Sequence, residues 1–458
     1  MKPFTLPTGR LWVGLRYRIG EVSWARALRN RLRPVRGRSE VDRNIHYLYV
    51  EVFWAAIFSA VFAFNATYAL RLGASNQMVG WLSSLPSLFA VFLMVPAARF
   101  LESRDNQAPW MLGSLTLGRA GFLMAAFVPW LFPRYAAPVL VALFITRTIP
   151  ITIFNTSFSP LLADVIPERD RSRVFANRNI VMSATAAAAT FLAGRWLDAA
   201  LHWEWAAFPL NYQALYVVGG LCALASAYFV AKVKPPPRRL MPEARPERSR
   251  LTWEQLRVTG KAMLSEQRSF VALTVNTLVF NLGAWLVMPL YMILFVRQLD
   301  ATDGWIGLNA TLANLGVIGG YALWRRWLPR LGDHRALRLS VPLAASYAFL
   351  VAAFPNLSLI LVWGVLINLV NAGVNLSHTN IFYRVCPEAR RASYMALYAS
   401  IMNLGAFVCP LIGVALAEVW DIRWILVVGG IIRLLGGFMF YILRVEATPA
   451  AEVQLGVP

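Results

Sequence analysis

Four ionisable residues stand inside long apolar runs of this sequence: Glu51 in YLYVEVFW, Arg119 in TLGRAGF, Arg147 in LFITRTIPITIF and Arg433 in GIIRLLG. A charge in hydrocarbon is costly and is kept where it pairs or works. Arg147 would offer five fixed donors to a carboxylate or phosphate ligand, or hold a protonatable acid in its charged form. Alternatively it is structural, paired with backbone carbonyls or with Glu51. Glu51 is the sole acid well inside a run, which makes it the candidate for proton exchange, set against a static ion pair. Arg119 and Arg433 read as structural.

Neutral polar residues also fall at helical spacing. Asn368, Asn371 and Asn375 recur at i, i+3 and i+7 and so share one face, continued by Thr379, with His378 close by. Thr277 and Asn281 are four apart, and Asn155 stands in the run that holds Arg147. Such amides suit a hydroxyl-bearing or zwitterionic solute in a wet cavity; the alternative is interhelical hydrogen bonding. No enzyme is expected: His46, His202, His334 and His378 are scattered, with no buried carboxylate pair and no nucleophile beside a base. Cys222, Cys386 and Cys409 lack metal-ligand or disulfide spacing, so neither metal nor cofactor is expected. The sequence contains no GxxxxGK[ST] phosphate loop, which argues against an ATP-driven pump.

The elements that position these residues follow from composition. The 458 residues are 58% hydrophobic and 15% charged, far outside the globular range. Mean hydropathy is +0.53. Twelve apolar runs, each near the length that spans ~30 Å of hydrocarbon as a helix, cover roughly 46–70, 77–98, 110–131, 137–163, 175–197, 212–231, 269–296, 305–323, 337–355, 358–383, 393–417 and 423–443. They are continuous rather than alternating, which favours helices over a barrel. Trp81, Trp110, Trp130 and Trp203 lie near run ends, as an aromatic belt requires.

The net charge of +21 falls mostly on one side of these spans: in the first 45 residues, at Arg99 and Arg104, from Arg169 to Arg178, within 232–268, from Arg325 to Arg338 and from Arg384 to Arg391. The positive-inside rule then puts both termini in the cytoplasm of a plasma-membrane protein, facing anionic headgroups, with no role in nucleic-acid binding. The stretch VSWARALRNRL, with Trp24, Leu28 and Leu32, reads as an amphipathic surface segment.

The sequence also repeats itself. LGASNQMVG, Leu72 to Gly80, matches LDATDGWIG, Leu299 to Gly307, at a shift of 227. VIPERDR from Val165 matches VCPEARR from Val385 at 220, and LYVVGG before Cys222 matches ILVVGG at 210. Spans two to six therefore recur as eight to twelve, in parallel orientation. The expected organisation is a basic segment at 1–45, six-helix bundles at 46–231 and 269–443, a Pro- and charge-rich linker at 232–268 and a tail at 444–458.

With this architecture, Arg147 in span four and the Pro-acid-Arg stretches after spans four and ten, the sequence resembles the major facilitator superfamily over roughly residues 42–445. The loop signature between spans two and three is partly kept: Glu102 in RFLESRDNQ stands at the acidic position without its glycine, and in RRWLPRLGDHR Pro329 replaces the acid while Arg330, Gly332 and Arg335 remain. The resemblance implies a secondary transporter that works by alternating access, with spans one, four, seven and ten lining a cavity. Arg147, Glu51, Asn155, Asn281, Asn371 and Asn375 are then the candidates for substrate binding or coupling. A cytoplasmic gate would draw on Asp164, Glu168, Arg171, Glu102, Glu388 and Arg391. Pro167 is expected to end helix four, with Glu168, Arg171 and the following bases in the turn after it. Asp164, replaced by Arg384 in the second repeat, is either a gate residue or a topology anchor.

Export of amphipathic compounds suits the aromatic-rich, acid-poor interior and comes first; an anionic or polar metabolite suits Arg147. A sensor on the same scaffold is the third reading. Partners are a small-molecule substrate and, through Glu51, protons, with the monomer as the working unit.

Overall fold

The computed structural model describes residues 39–102, 107–234, 268–386 and 391–442. Within them the chain forms twelve long helices. The first six are α1 (Glu40–Val61, carried through a 3-10 turn into Asn65–Arg71), α2 (Asn76–Glu102), α3 (Ala108–Met124), α4 (Ala136–Thr146 and Thr148–Val165), α5 (Glu168–Ala200) and α6 (Leu210–Ala231). The others are α7 (Arg268–Ile293, ending in a π turn at Leu294–Gln298), α8 (Asp303–Leu331), α9 (Asp333–Ala353), α10 (Leu357–Val385), α11 (Arg391–Leu416) and α12 (Ile422–Ile442). Among the described residues there is no strand, and ten spans are individually long and apolar enough to cross a bilayer. The protein is an all-α polytopic membrane protein of two six-helix bundles.

The bundles share one packing map. In the first, α1 lies on α5 and α6, α4 on α2 and α3, and α3 on α6; in the second, α7 lies on α11 and α12, α10 on α8 and α9, and α9 on α12. The halves meet mainly through two repeat-related contacts, α5 with α8 and α2 with α11, with smaller ones of α1 with α8 and α2 with α7. Without a hydrophobic driving force in lipid, such helices need small residues for close approach. At the α5–α8 crossing a Cβ on Gly307 would come within 2.9 Å of Gly194 Cα and 2.8 Å of the Thr190 carbonyl oxygen.

The end at which α1 begins is called the near face, and the end reached by Arg71 the far face. Several expected boundaries move. Pro167 does not end α4, which stops at Val165; it is the N-cap of α5, whose first helical residue is Glu168. Proline suits the start of a helix because the missing N–H has no partner there anyway. Arg171, Arg173 and Arg178 therefore lie on α5, and Arg325 to Arg330 on α8, rather than in turns. The break in α4 falls at Arg147, three residues before Pro150, whose nitrogen cannot donate to the Thr146 carbonyl.

Candidate functional site

The interior charges are accounted for within each half. Glu51 is 3% exposed. Its Oε2 accepts from Arg178 Nη2 at 2.9 Å, its Oε1 accepts from the Ser226 hydroxyl at 2.9 Å, and Arg119 Nη2 lies 3.8 Å away. Both arginines are held from behind: Arg178 Nη1 donates to the Leu48 carbonyl at 2.6 Å and Arg119 Nη1 to that of Ala223 at 2.5 Å. The partner of Glu51 is thus not Arg147. Arg178, read from the sequence as part of a basic turn, is buried between α1 and α5.

Arg147 sits at the α4 break with its guanidinium 4.5 Å from the Phe62 ring centre and 5.1 Å from that of Phe122, inside the first bundle. Cation–π attraction offsets part of its desolvation there. Arg433 lies likewise over Phe280, at 4.4 Å.

Several of the neutral polar residues singled out from the sequence are exposed. On α10, Leu366 is 54% exposed on the outer surface. Asn375 lies nine residues on, about two and a half turns, so it points to the opposite side, yet it too is exposed, as is Thr379. Asn155, on the second part of α4, is exposed as well. Asn155 and Asn375 are repeat counterparts at the 220-residue shift. Asn281 and Asn371 are half-buried, and Thr277 Oγ1 lies 3.0 Å from His378 Nε2, with Tyr398 OH at 3.3 Å.

The far face is closed by side chains the sequence reading did not select. Arg71 Nη2 donates to the Ala301 carbonyl at 3.1 Å and stands 3.5 Å from Asp303 Oδ1. In return Arg297 donates to Asn76 Oδ1 and to the Ala74 carbonyl, each at 2.5 Å. Ala74 and Asn76 are the repeat counterparts of Ala301 and Asp303, so the halves exchange grips about the pseudo-two-fold. Each gripped turn contains a left-handed residue, Gly73 at φ +89° and Asp300 at φ +48°. After α1 the turn has the Schellman pattern, Ala74 N–H to Ala69 O and Gly73 N–H to Leu70 O. A second exchange backs the first. Asp198 at the end of α5 accepts from the Gly304 N–H at 2.7 Å and the Thr302 hydroxyl at 3.2 Å, completing the N-terminus of α8. Its counterpart Glu418 accepts from Gln77 of α2 at 3.0 Å.

Of the gate residues inferred from sequence, Glu388 and the side chains of Glu102, Asp164, Glu168 and Arg391 lie outside the described residues, as do most of 232–268 and the Trp24 segment. Arg171 is half-buried on the first turn of α5. Arg384, the counterpart of Asp164, pairs with Asp333 of α9 at 2.6 Å, within the second half.

Two bundles that pack alike and close on each other at one face have the architecture of a transporter. The sequence profile of the Major Facilitator Superfamily matches residues 50–281 and again 273–457. The chain belongs to that superfamily, and the double match agrees with the internal repeat. No curated protein matches it in sequence. Among solved structures it is similar to a bacterial homologue of the human lysosomal transporter Spinster in an inward-facing, unoccupied conformation. That match has 11% identity and TM-score 0.64 over 90% of this chain and 100% of the other. It is also similar to the nucleoside transporter NupG, with 13% identity and TM-score 0.58 over 89% and 99%. The xylose transporter XylE from E. coli, in an inward-open conformation, matches with 13% identity and TM-score 0.62 over 89% and 96%.

Proposed function

We propose that the protein is a secondary transporter that carries small, amphipathic, uncharged solutes across the plasma membrane by alternating access, with export the favoured direction. The observation that supports this reading is a locked far face together with the exposure of Asn155 and Asn375, repeat counterparts on the two helices taken to line the gap. With the near face in the cytoplasm, this is an inward-facing state; the inward-facing conformations of the Spinster homologue and XylE support that reading. The solute class rests on what lines the gap. Glu51, Arg119, Arg147, Arg178 and Arg433 are each paired or packed inside their own bundle, which leaves amides, hydroxyls and an imidazole to meet the substrate. Held by two arginines, Glu51 serves as a strut and not as the proton carrier.

The test uses single cysteines at Asn155 and Asn375 in a background lacking the three native cysteines, reconstituted in sealed vesicles. A membrane-impermeant thiol reagent should label both from the near face, and a transported solute should protect them. Absence of labelling from that side, or solute fluxes that never saturate, would sink the reading.

An anionic substrate remains the second reading because Arg147 Nη1 is buried with no hydrogen-bond partner among the described residues. Equal residual transport of anions by Arg147→Lys and Arg147→Ala would remove it.

A further inference from the structure

A lateral cleft of about 410 Å³ lies at the far end of the first bundle, away from the gap between the halves. It is lined by Phe127 and Trp130 from the α3–α4 connection, Trp196 from α5, Trp205 from the α5–α6 connection, and Gln213 and Val217 of α6. Trp130 and Trp205 are 61% and 70% exposed at helix ends, where an aromatic belt meets the headgroups, so the cleft opens to the bilayer. The volume is that of an ordinary small-molecule site. One feature is out of keeping with an apolar groove. Gln213 is 4% exposed, and both its Oε1 and Nε2 lack a hydrogen-bond partner among the described residues. Its place in the lining follows from helical spacing, since Leu210, Ala214, Val217 and Val218 line the same cleft. A buried amide with neither end satisfied is costly, the more so beside hydrocarbon.

We propose that this cleft is a binding site for a glycerophospholipid of the far leaflet. One acyl chain lies along the tryptophan walls, the ester carbonyl accepts from Gln213 Nε2, and a donor-bearing head group, an ammonium or a hydroxyl, satisfies Oε1. The molecules that reach a groove on this flank are lipids, and a lipid interface supplies both the chain and the carbonyl. The site also bears on closure of the far face. Trp196 precedes Asp198 by two residues on the last turns of α5, and Asp198 grips the N-terminus of α8. A lipid seated against Trp196 therefore braces the end of the helix that holds the halves together.

The test needs no substrate and is independent of the transport reading. Purified full-length protein is exchanged into detergent, supplied in turn with phosphatidylethanolamine, phosphatidylglycerol or phosphatidylcholine, and followed by native mass spectrometry and thermal unfolding. The wild type should retain one phosphatidylethanolamine or phosphatidylglycerol and gain thermal stability from it, with phosphatidylcholine, which lacks a head-group donor, retained less. Gln213→Leu should lower retention about fivefold, the scale of one hydrogen bond, and lose the lipid-dependent gain while unfolding no earlier than wild type without lipid. Trp205→Ala, at an exposed position, should weaken retention while the fold is kept. Equal retention by wild type and both variants, or no lipid retained by the wild type, would overturn the proposal.

Discussion

Arg71 and Arg297, on opposite halves of the protein, each hold the turn that follows the other's helix: Arg71 reaches Ala301 and Asp303, and Arg297 reaches Ala74 and Asn76. The exchange resembles an isologous dimer contact made within one chain. The two grips are unequal in charge, because Asp303 is an acid and Asn76 is not. That inequality leads to the first two predictions.

Asp303→Asn or Arg71→Ala should loosen the far face. A partly exposed, charge-assisted contact is worth about 1 kcal/mol, enough to shift the ratio of closed to open molecules roughly fivefold. Pairs of spin labels across the far ends of α1 and α7 would show a longer-distance population in the variants; unchanged distributions would refute the clamp.

Asn76→Asp should act in the opposite sense. It would give Arg297 a carboxylate where it now meets an amide, hold the far face shut and slow turnover without reducing thermal stability. Faster turnover would contradict this reading.

Glu51→Gln should destabilise the first bundle by about 3–5 kcal/mol, since two buried guanidinium groups lose their counter-charge. Thermal unfolding in detergent measures it. Arg178→Met in the same background should recover part of the loss, and a lone Glu51→Gln variant as stable as wild type would show that the cluster is not a strut.

Gly307→Val should keep α5 and α8 apart, because its side chain would press on Gly194 and the Thr190 carbonyl of the facing helix. The expected result is far-face labelling of a cysteine at Asn155 where the wild-type background shows none.

Asn155→Ala and Asn375→Ala should each reduce solute protection or transport by about tenfold, the loss of one or two hydrogen bonds, with melting temperature nearly unchanged. A fall in stability that tracks the fall in transport would assign the asparagines to packing.

Long apolar runs and their twofold recurrence made the twelve helices and two bundles legible, because hydrocarbon leaves the backbone few alternatives. Charge was harder to read. Arg178 sits among bases that suggest a surface turn, and only the start of α5 at Glu168 carries it into the bundle to meet Glu51. Arg71 and Arg297 belong to no motif in the sequence, since their partners are carbonyls and side chains more than two hundred residues away. The repeat did hold a clue: one of its matched segments, around Ala74 and Ala301, comprises the turns these arginines grip. On α10, spacing put Asn375 on a shared face, but only the fold shows that this residue and Leu366 on the opposite side are both exposed.

The π turn at Leu294–Gln298 explains how two copies of unequal length still grip alike. Gly73 follows Arg71 by two residues, whereas Asp300 follows Arg297 by three. The widened turn stores the extra residue within α7, so the insertion bulges the helix locally and leaves the guanidinium aimed at its target. Removing one residue from that turn would make the repeats match in number, and the register of helix and loop would then decide whether the halves still fit.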